Sequence, residues 1–209
     1  MLSQRAIAEP ELVRLDPGAL GEAKSLLYNA YRHEPTFQYL FDASRPGYDQ
    51  RVRATIREGI ELHFANQQDA IGLVADGALV AVAFISRPEL RMNLADQLNW
   101  RVRMMLTAGL SSTRRYIEYH RQVTECLPSD VHHHLPLLGV HPQHQSRGYG
   151  RQLMQAVEKI CRESPLSTGI GLDTGNSRYL KFYESLGYRK VGEVKLGKVS
   201  ENVLFKACI

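Results

Sequence analysis

Between Leu138 and Arg151 the chain reads Leu-Gly-Val-His-Pro-Gln-His-Gln-Ser-Arg-Gly-Tyr-Gly-Arg. An apolar strand end, a proline and a glycine-punctuated turn lead here into a run with helical periodicity. That spacing suits the capture of an anion. Glycine at 148 and 150 removes side chains that would hold a ligand off the backbone, and the N–H groups of residues 147–152 fall at a helix start, where intrahelical partners are lacking. The positive end of the helix dipole adds to those donors, so a phosphate or pyrophosphate is the expected guest. Two other phosphate-binding patterns are excluded by the residues. No Gly-Lys-Ser/Thr triplet is present for a P-loop, and position 153 is Leu where a dinucleotide fingerprint needs a third glycine.

A second group able to do chemistry is His132-His133-His134, followed by strand-like residues. Strand alternation puts His132 and His134 on one face and His133 on the other, so either of the first pair can serve as a base near neutral pH. Histidines that merely line a sheet face are the alternative. Adjacent strand histidines point apart and no Cys or acidic partner completes a tetrahedral set, so no metal site is expected. His120 and Glu118 are further base candidates.

The elements that must position these groups can be read from periodicity and turn chemistry. Glu11 to Leu15 predicts a first strand, and Asp16-Pro17 a cap for a helix with Leu20, Ala23, Leu27, Ala30 and Tyr31 on one face. Tyr48, Val52, Ile56 and Ile60 predict a second helix. Ile71 to Ala75 and Ala78 to Ile85 form a hairpin around Asp76-Gly77, a dipeptide suited to a type I′ turn. Residues 92–127 predict two further helices, the second capped at Ser111-Ser112-Thr113 and stopped by Pro128. Strand over His132 to Val140, helix over 150–162, strand over Thr168 to Thr174 and helix over Asn176 to Leu186 follow, the last ended by Gly187 as a left-handed cap. Tyr188 to Lys195 and Glu201 to Ala207 read as a closing pair of strands.

This order, together with two separated motifs, resembles the GNAT N-acetyltransferase superfamily. Val140-His141-Pro142 and Gln145-Ser146-Arg147-Gly148-Tyr149-Gly150 are similar to the family's cofactor motif V-x-P-x-x-Q-x-x-G-x-G, and Phe182 to Tyr188 is similar to its Y-x-x-x-G-[FY] ending. The resemblance implies one domain over residues 1–209 with an α/β fold. Its sheet would be mixed and mostly antiparallel, with splayed central strands, helices on both faces and a helical insert at about 92–127. It implies acetyl-CoA as cofactor, with Leu138, Gly139 and Val140 offering main-chain groups to the pantetheine arm. Gln145, Ser146, Arg147, Gly148, Tyr149, Gly150 and Arg151 would surround the diphosphate, and Asn176 would hold the cofactor from the other wall. Tyr183 matches the family's general acid. The implied reaction moves an acetyl group to a primary amine by direct attack in a ternary complex.

A small-molecule amine is the expected acceptor. Two alternatives remain open on the residues: a non-catalytic coenzyme A-binding module, and an acetyltransferase acting on a protein N-terminus or lysine. Trp100, Met104, Met105 and Tyr116 in the insert suit an apolar acceptor wall, core packing or a homodimer contact alike.

Composition narrows the classes further. With 209 residues and 44% hydrophobic content the chain can bury a substantial core. The net charge of +4 comes from 26 basic residues interspersed with 22 acidic ones, without an aromatic stacking motif, so no nucleic-acid partner is expected. No apolar run of signal or membrane-spanning length occurs, which predicts a cytoplasmic protein without a membrane partner. Cys126, Cys161 and Cys208 are too scattered for a disulfide framework and read as buried or idle thiols.

Overall fold

The computed structural model describes residues 9–88, 94–129 and 131–208. Its strands are β1 (Glu11–Arg14), β2 (Asp69–Ala75), β3 (Ala78–Ser86), β4 (His133–Val140), β5 (Gly169–Thr174), β6 (Arg189–Leu196) and β7 (Val199–Ala207). The helices are α1 (Leu20–Tyr31), α2 (Pro35–Leu40), α3 (Tyr48–Ala65), α4 (Leu94–Ala108), α5 (Leu110–Cys126), α6 (Tyr149–Glu163) and α7 (Ser177–Glu184). One sheet in the order β1-β2-β3-β4-β5-β7-β6 joins all seven strands. Every neighbouring pair is antiparallel except β4 and β5.

β3 is apolar at almost every position because it is buried on both faces. Val82 and Phe84 face one core with Leu26, Leu27 and Ile56, whereas Ala81, Ala83 and Ile85 face a second with Leu153, Met154 and Val157 of α6. The β2–β3 hairpin turns on Asp76 and Gly77, both at positive φ (51° and 75°), the geometry that the Asp-Gly dipeptide predicts. Gly187 ends the α7 region at φ 89°.

The structure departs from the sequence expectation in four places. A short helix, α2, follows Glu34 with Pro35 in its first turn; six residues are too few for periodicity to show. The insert's second helix is opened by Gly109 (φ 84°, ψ 153°) and not by the expected Ser111 to Thr113 cap. Thr113 instead donates its hydroxyl to the Gly109 carbonyl at 2.9 Å. Residues 92 and 93 of the expected insert lie outside the described residues.

The thiol expectation also needs correction. Cys161 and Cys208 form a disulfide that ties α6 to the chain leaving β7, with Cα atoms 6.3 Å apart. The Cys208 N–H donates to the Thr168 carbonyl at 3.1 Å, and this brings the chain end beside the last turn of α6. The 47-residue separation hides the proximity, because it arises from β7 pairing along β5. Cys126 remains a free thiol.

The fourth departure shapes the site. β3 pairs Phe84 with Leu137 but Ser86 with His134, so β4 carries one residue more than its partner between those points. Pro136, which has no N–H to give to a ladder, lies within this bulge. The extra residue reverses the alternation: Leu135 packs in the α6-side core, and Leu137 packs against the core under α1.

Candidate active site in the gap between β4 and β5

β4 and β5 pair only at His133 with Ile170 and at His134 with Gly171. Beyond the bulge they separate, and a cavity of about 390 Å³ opens between them. The His141 N–H donates to the Val80 carbonyl at 2.9 Å. By antiparallel alternation Gly139 then turns its main chain toward β3, while Leu138 and Val140 turn theirs into the gap. Gly139 has a different reason to be glycine: a Cβ there would come within 3.0 Å of Leu27 and 3.2 Å of Ala30, so its absence lets α1 approach the strand.

At the far end of β4 the chain turns through Ser146 (φ 64°) and Gly148 (φ 87°) into α6. A Cβ on Gly148 would meet nothing within 4 Å, so the backbone there faces open space, whereas a Cβ on Gly150 would touch Phe182 at 3.4 Å. The donors free for an anion are fewer than the sequence predicts. Arg151 and Gln152 both give their N–H groups to the Gly148 carbonyl, at 3.0 and 3.1 Å, which leaves the amides just before them to form the cradle. Tyr149 buries its side chain in the α6-side core, and Arg147 is exposed and does not line the cavity. Arg151 lines it with its guanidinium on Ser185 at 3.2 Å, and Arg178 lines it from α7, 3.2 Å from the Ser146 hydroxyl. Gln145 spans the opening, with its amide nitrogen 3.3 Å from the Val140 carbonyl and 3.4 Å from the Tyr179 hydroxyl.

Asn176 caps α7 by accepting from the Arg178 N–H at 3.0 Å, and its amide donates to the Glu34 carboxylate at 3.2 Å. Tyr183 lines the cavity and is 9% exposed. Burial, followed by the charge of Asp173, holds its phenol well above the ordinary tyrosine value. It therefore keeps its proton at neutral pH.

The opposite end of the cavity is acidic. Asp173 on β5 accepts from the Tyr119 hydroxyl and lies 3.8 Å from Nε2 of His134. Burial alone would raise the Asp173 carboxyl, but the neighbouring His134 ring and hydrogen bonds from side chains such as the Tyr119 hydroxyl together hold it below its usual value. Glu201 on β7 accepts from the Thr36 hydroxyl and is pushed up to about 9, first by burial and then by Asp173. Glu34 is raised by burial. His134 thus lies beside the acidic end without lining the cavity itself, and His132 sits with its ring edge-on to Phe205, 5.6 Å away. His120 lines the cavity from α5, lowered by burial to about 4 and so neutral at pH 7. Glu118 is exposed and paired with Arg121. Of the insert, α5 supplies cavity wall through Tyr116, Tyr119 and His120. α4 packs outside it, with Met104 fully buried and Met105 partly exposed.

Tyr31, Glu34, Asp173, Arg178 and Glu201 escaped assignment from sequence. No motif marks them, and only the sheet order and the α1–α2 turn bring them to one cavity.

The high value for Glu201 has a consequence for stability. A carboxyl that holds its proton more tightly in the fold than in the unfolded chain leaves stability at its fullest below the ordinary value near 4.5, and stability is lost as pH rises to about 9. Glu201→Gln carries no charge at any pH. The difference in melting temperature between this variant and the natural protein is expected to grow in the variant's favour from pH 5 to pH 9 by scanning fluorimetry. A difference that stays flat over this range would contradict the assignment.

Residues 115–190 match the family model described as the acetyltransferase (GNAT) domain. No curated protein matches the chain by sequence. Among solved structures, a Corynebacterium glutamicum protein described as histone acetyltransferase HPA2 and related acetyltransferase aligns with a TM-score of 0.70 at 19% identity, over 95% of this chain and 96% of that one. Arylalkylamine N-acetyltransferase 2 from Aedes aegypti aligns at 0.63 and 11% identity, covering 96% and 99%. A Drosophila melanogaster polyamine N-acetyltransferase aligns at 0.58 and 16% identity, covering 95% and 100%. The chain has the GNAT fold, and its GNAT match covers β4, the cradle, β5 and α7.

Proposed function

We propose that this GNAT-fold protein acetylates the primary amine of a small cationic molecule, using acetyl-CoA held in the gap between β4 and β5. The observation that carries the reading is the meeting, in one cavity, of a β4 main-chain edge left unpaired by β5 and an anion cradle at the start of α6. These features fit the cofactor part by part. An amide-bearing arm can add to Leu138 and Val140 as a strand would, and a diphosphate can rest on the amides near Gly148, where no Cβ intervenes. When bound, acetyl-CoA supplies an acyl thioester, a polarised carbonyl with a thiolate leaving group.

The chain's own residues supply the rest. A main-chain N–H on the gap-facing edge of β4 is the expected donor to the thioester carbonyl oxygen, an oxyanion-type contact. Tyr183 holds the proton that a departing sulfur must receive. At the acceptor end an alkylamine with pKa near 10.4 is neutral in only about one molecule in 2,500 at pH 7, so a base or desolvation has to help. His120, which lines the cavity and is neutral at pH 7, is the proposed base; His134 lies beside Asp173 behind the cavity wall, and His132, turned toward Phe205, takes no part. The ionised Asp173 favours a cation, and Phe37, Tyr116 and Tyr119 give it aromatic faces. The relatives named for polyamines and arylalkylamines agree with this acceptor class.

Thiol release and mass spectrometry with isotopically labelled acetyl-CoA test the reading across a panel of alkyl, arylalkyl and polyamines. Release that depends on a small amine, with label on its nitrogen, is expected. Coenzyme A binding without release for any amine would favour a cofactor-holding module, and label found only on proteins would move the acceptor to a macromolecule.

A further inference from the structure

One side chain occupies the stretch of β4 that an extended ligand needs. Tyr31, the last residue of α1, reaches over the strand edge so that its hydroxyl donates to the Leu138 carbonyl at 3.0 Å and accepts from the Leu138 N–H at 3.1 Å. A single phenol oxygen therefore satisfies both main-chain groups that Leu138 turns into the gap. An amide of a strand added to β4 would use those same two groups, carbonyl to N–H and N–H to carbonyl. The ring is held in place at 4.6 Å from Phe37, itself anchored on α2, and burial keeps the phenol protonated and able to donate. Val140, the other residue facing the gap, is engaged differently. Its carbonyl accepts from the flexible Gln145 amide at a longer 3.3 Å.

We propose that Tyr31 is a gate on the pantetheine half of the groove: its hydroxyl stands in for a ligand amide at Leu138 and must be displaced before coenzyme A can lie along β4. This rests on the assignment of the gap to that cofactor. The hydroxyl keeps a pair of buried polar groups satisfied in the free protein, and two acceptor oxygens cannot both take a full hydrogen bond from one N–H. Binding is then weakened by the fraction of molecules in which Tyr31 remains in place. The nucleotide end lies on the Gly148 cradle and does not involve Leu138, so the gate acts on one half of the ligand alone.

Titration calorimetry with two probes, coenzyme A and its nucleotide fragment 3′-phospho-ADP, separates these statements. Tyr31→Phe keeps the ring on Phe37 and removes only the hydroxyl. It is expected to tighten coenzyme A by about three- to tenfold, the worth of roughly one net hydrogen bond, while leaving the affinity for 3′-phospho-ADP unchanged. Tyr31→Leu, which removes the ring as well, is expected to shift the two affinities in the same directions. Coenzyme A bound equally or more weakly by Tyr31→Phe would overturn the gate and leave the cofactor assignment standing. An equal gain for both probes would also overturn it, since the effect would not lie at Leu138. Failure of the natural protein to bind either probe would overturn the cofactor assignment and the gate with it.

Discussion

Gly148→Val is expected to weaken coenzyme A binding by at least about 10²-fold, enough to remove the calorimetric signal at ordinary concentrations. Two effects act together. The residue sits at φ 87°, where a β-branched side chain costs on the order of 1–3 kcal/mol, so the turn must either strain or rearrange. A Cβ there projects into space that holds no other atom within 4 Å, the space a diphosphate must enter to reach the amides. Each charge-assisted N–H bond lost is worth roughly 1.5–3 kcal/mol. Gly148→Ala, smaller and unbranched, should fall between the valine variant and the natural protein. Circular dichroism at the same temperature checks that each variant is folded. Affinity retained in a folded Gly148→Val protein would place the diphosphate elsewhere.

The second large effect is expected at Tyr183. Tyr183→Phe preserves the ring in its contacts with Phe182 and Tyr188, 5.2 and 5.9 Å away, and removes only the proton that the departing sulfur would take. Loss of a positioned general acid lowers turnover by about 10²- to 10⁴-fold. Coenzyme A affinity should stay within about threefold, because the proton is needed only as the carbon–sulfur bond breaks. The pH dependence adds a second check. Since burial and Asp173 hold the Tyr183 phenol above its ordinary value, its deprotonation should not limit turnover by the natural protein anywhere in the neutral range. Equal rates for Tyr183→Phe and the natural protein across pH would take Tyr183 out of the acid role and leave the sulfur to be protonated by water.

Features with a local cause were legible in the residues. Asp76-Gly77 encodes its own positive-φ turn, Gly148 marks a point where the backbone faces open space, and the apolar spacing of α6 places Leu153 and Val157 inward without reference to the remainder of the chain. Alternation correctly separated His133, which packs toward Ser167 at 2.7 Å, from His134 beside Asp173. The rest depended on distant partners. The bulge at Leu135–Pro136 exists only relative to β3, and it decides that Leu138 and not Leu137 turns its main chain into the gap. Glu201 belongs to a strand that reads like any edge of a sheet until the order β5-β7-β6 brings it beside Asp173 and Thr36. Tyr31 fits the apolar face of α1 by spacing, and nothing local shows that its hydroxyl extends past the helix to Leu138. The insert divides in the same way. Both helices are amphipathic, but only α5 crosses the cavity, while α4 leaves Leu94, Leu98 and Leu106 on the surface.

The central claim is that acetyl-CoA lies between the diverging strands β4 and β5 with its diphosphate on the turn before α6. A crystal structure of the protein with acetyl-CoA bound tests it most directly. The predicted difference density follows β4 past Leu138 and Val140 and ends in a diphosphate within hydrogen-bond reach of the amides around Gly148. Density at another surface, with this gap filled by the protein's own side chains at saturating acetyl-CoA, would contradict the account.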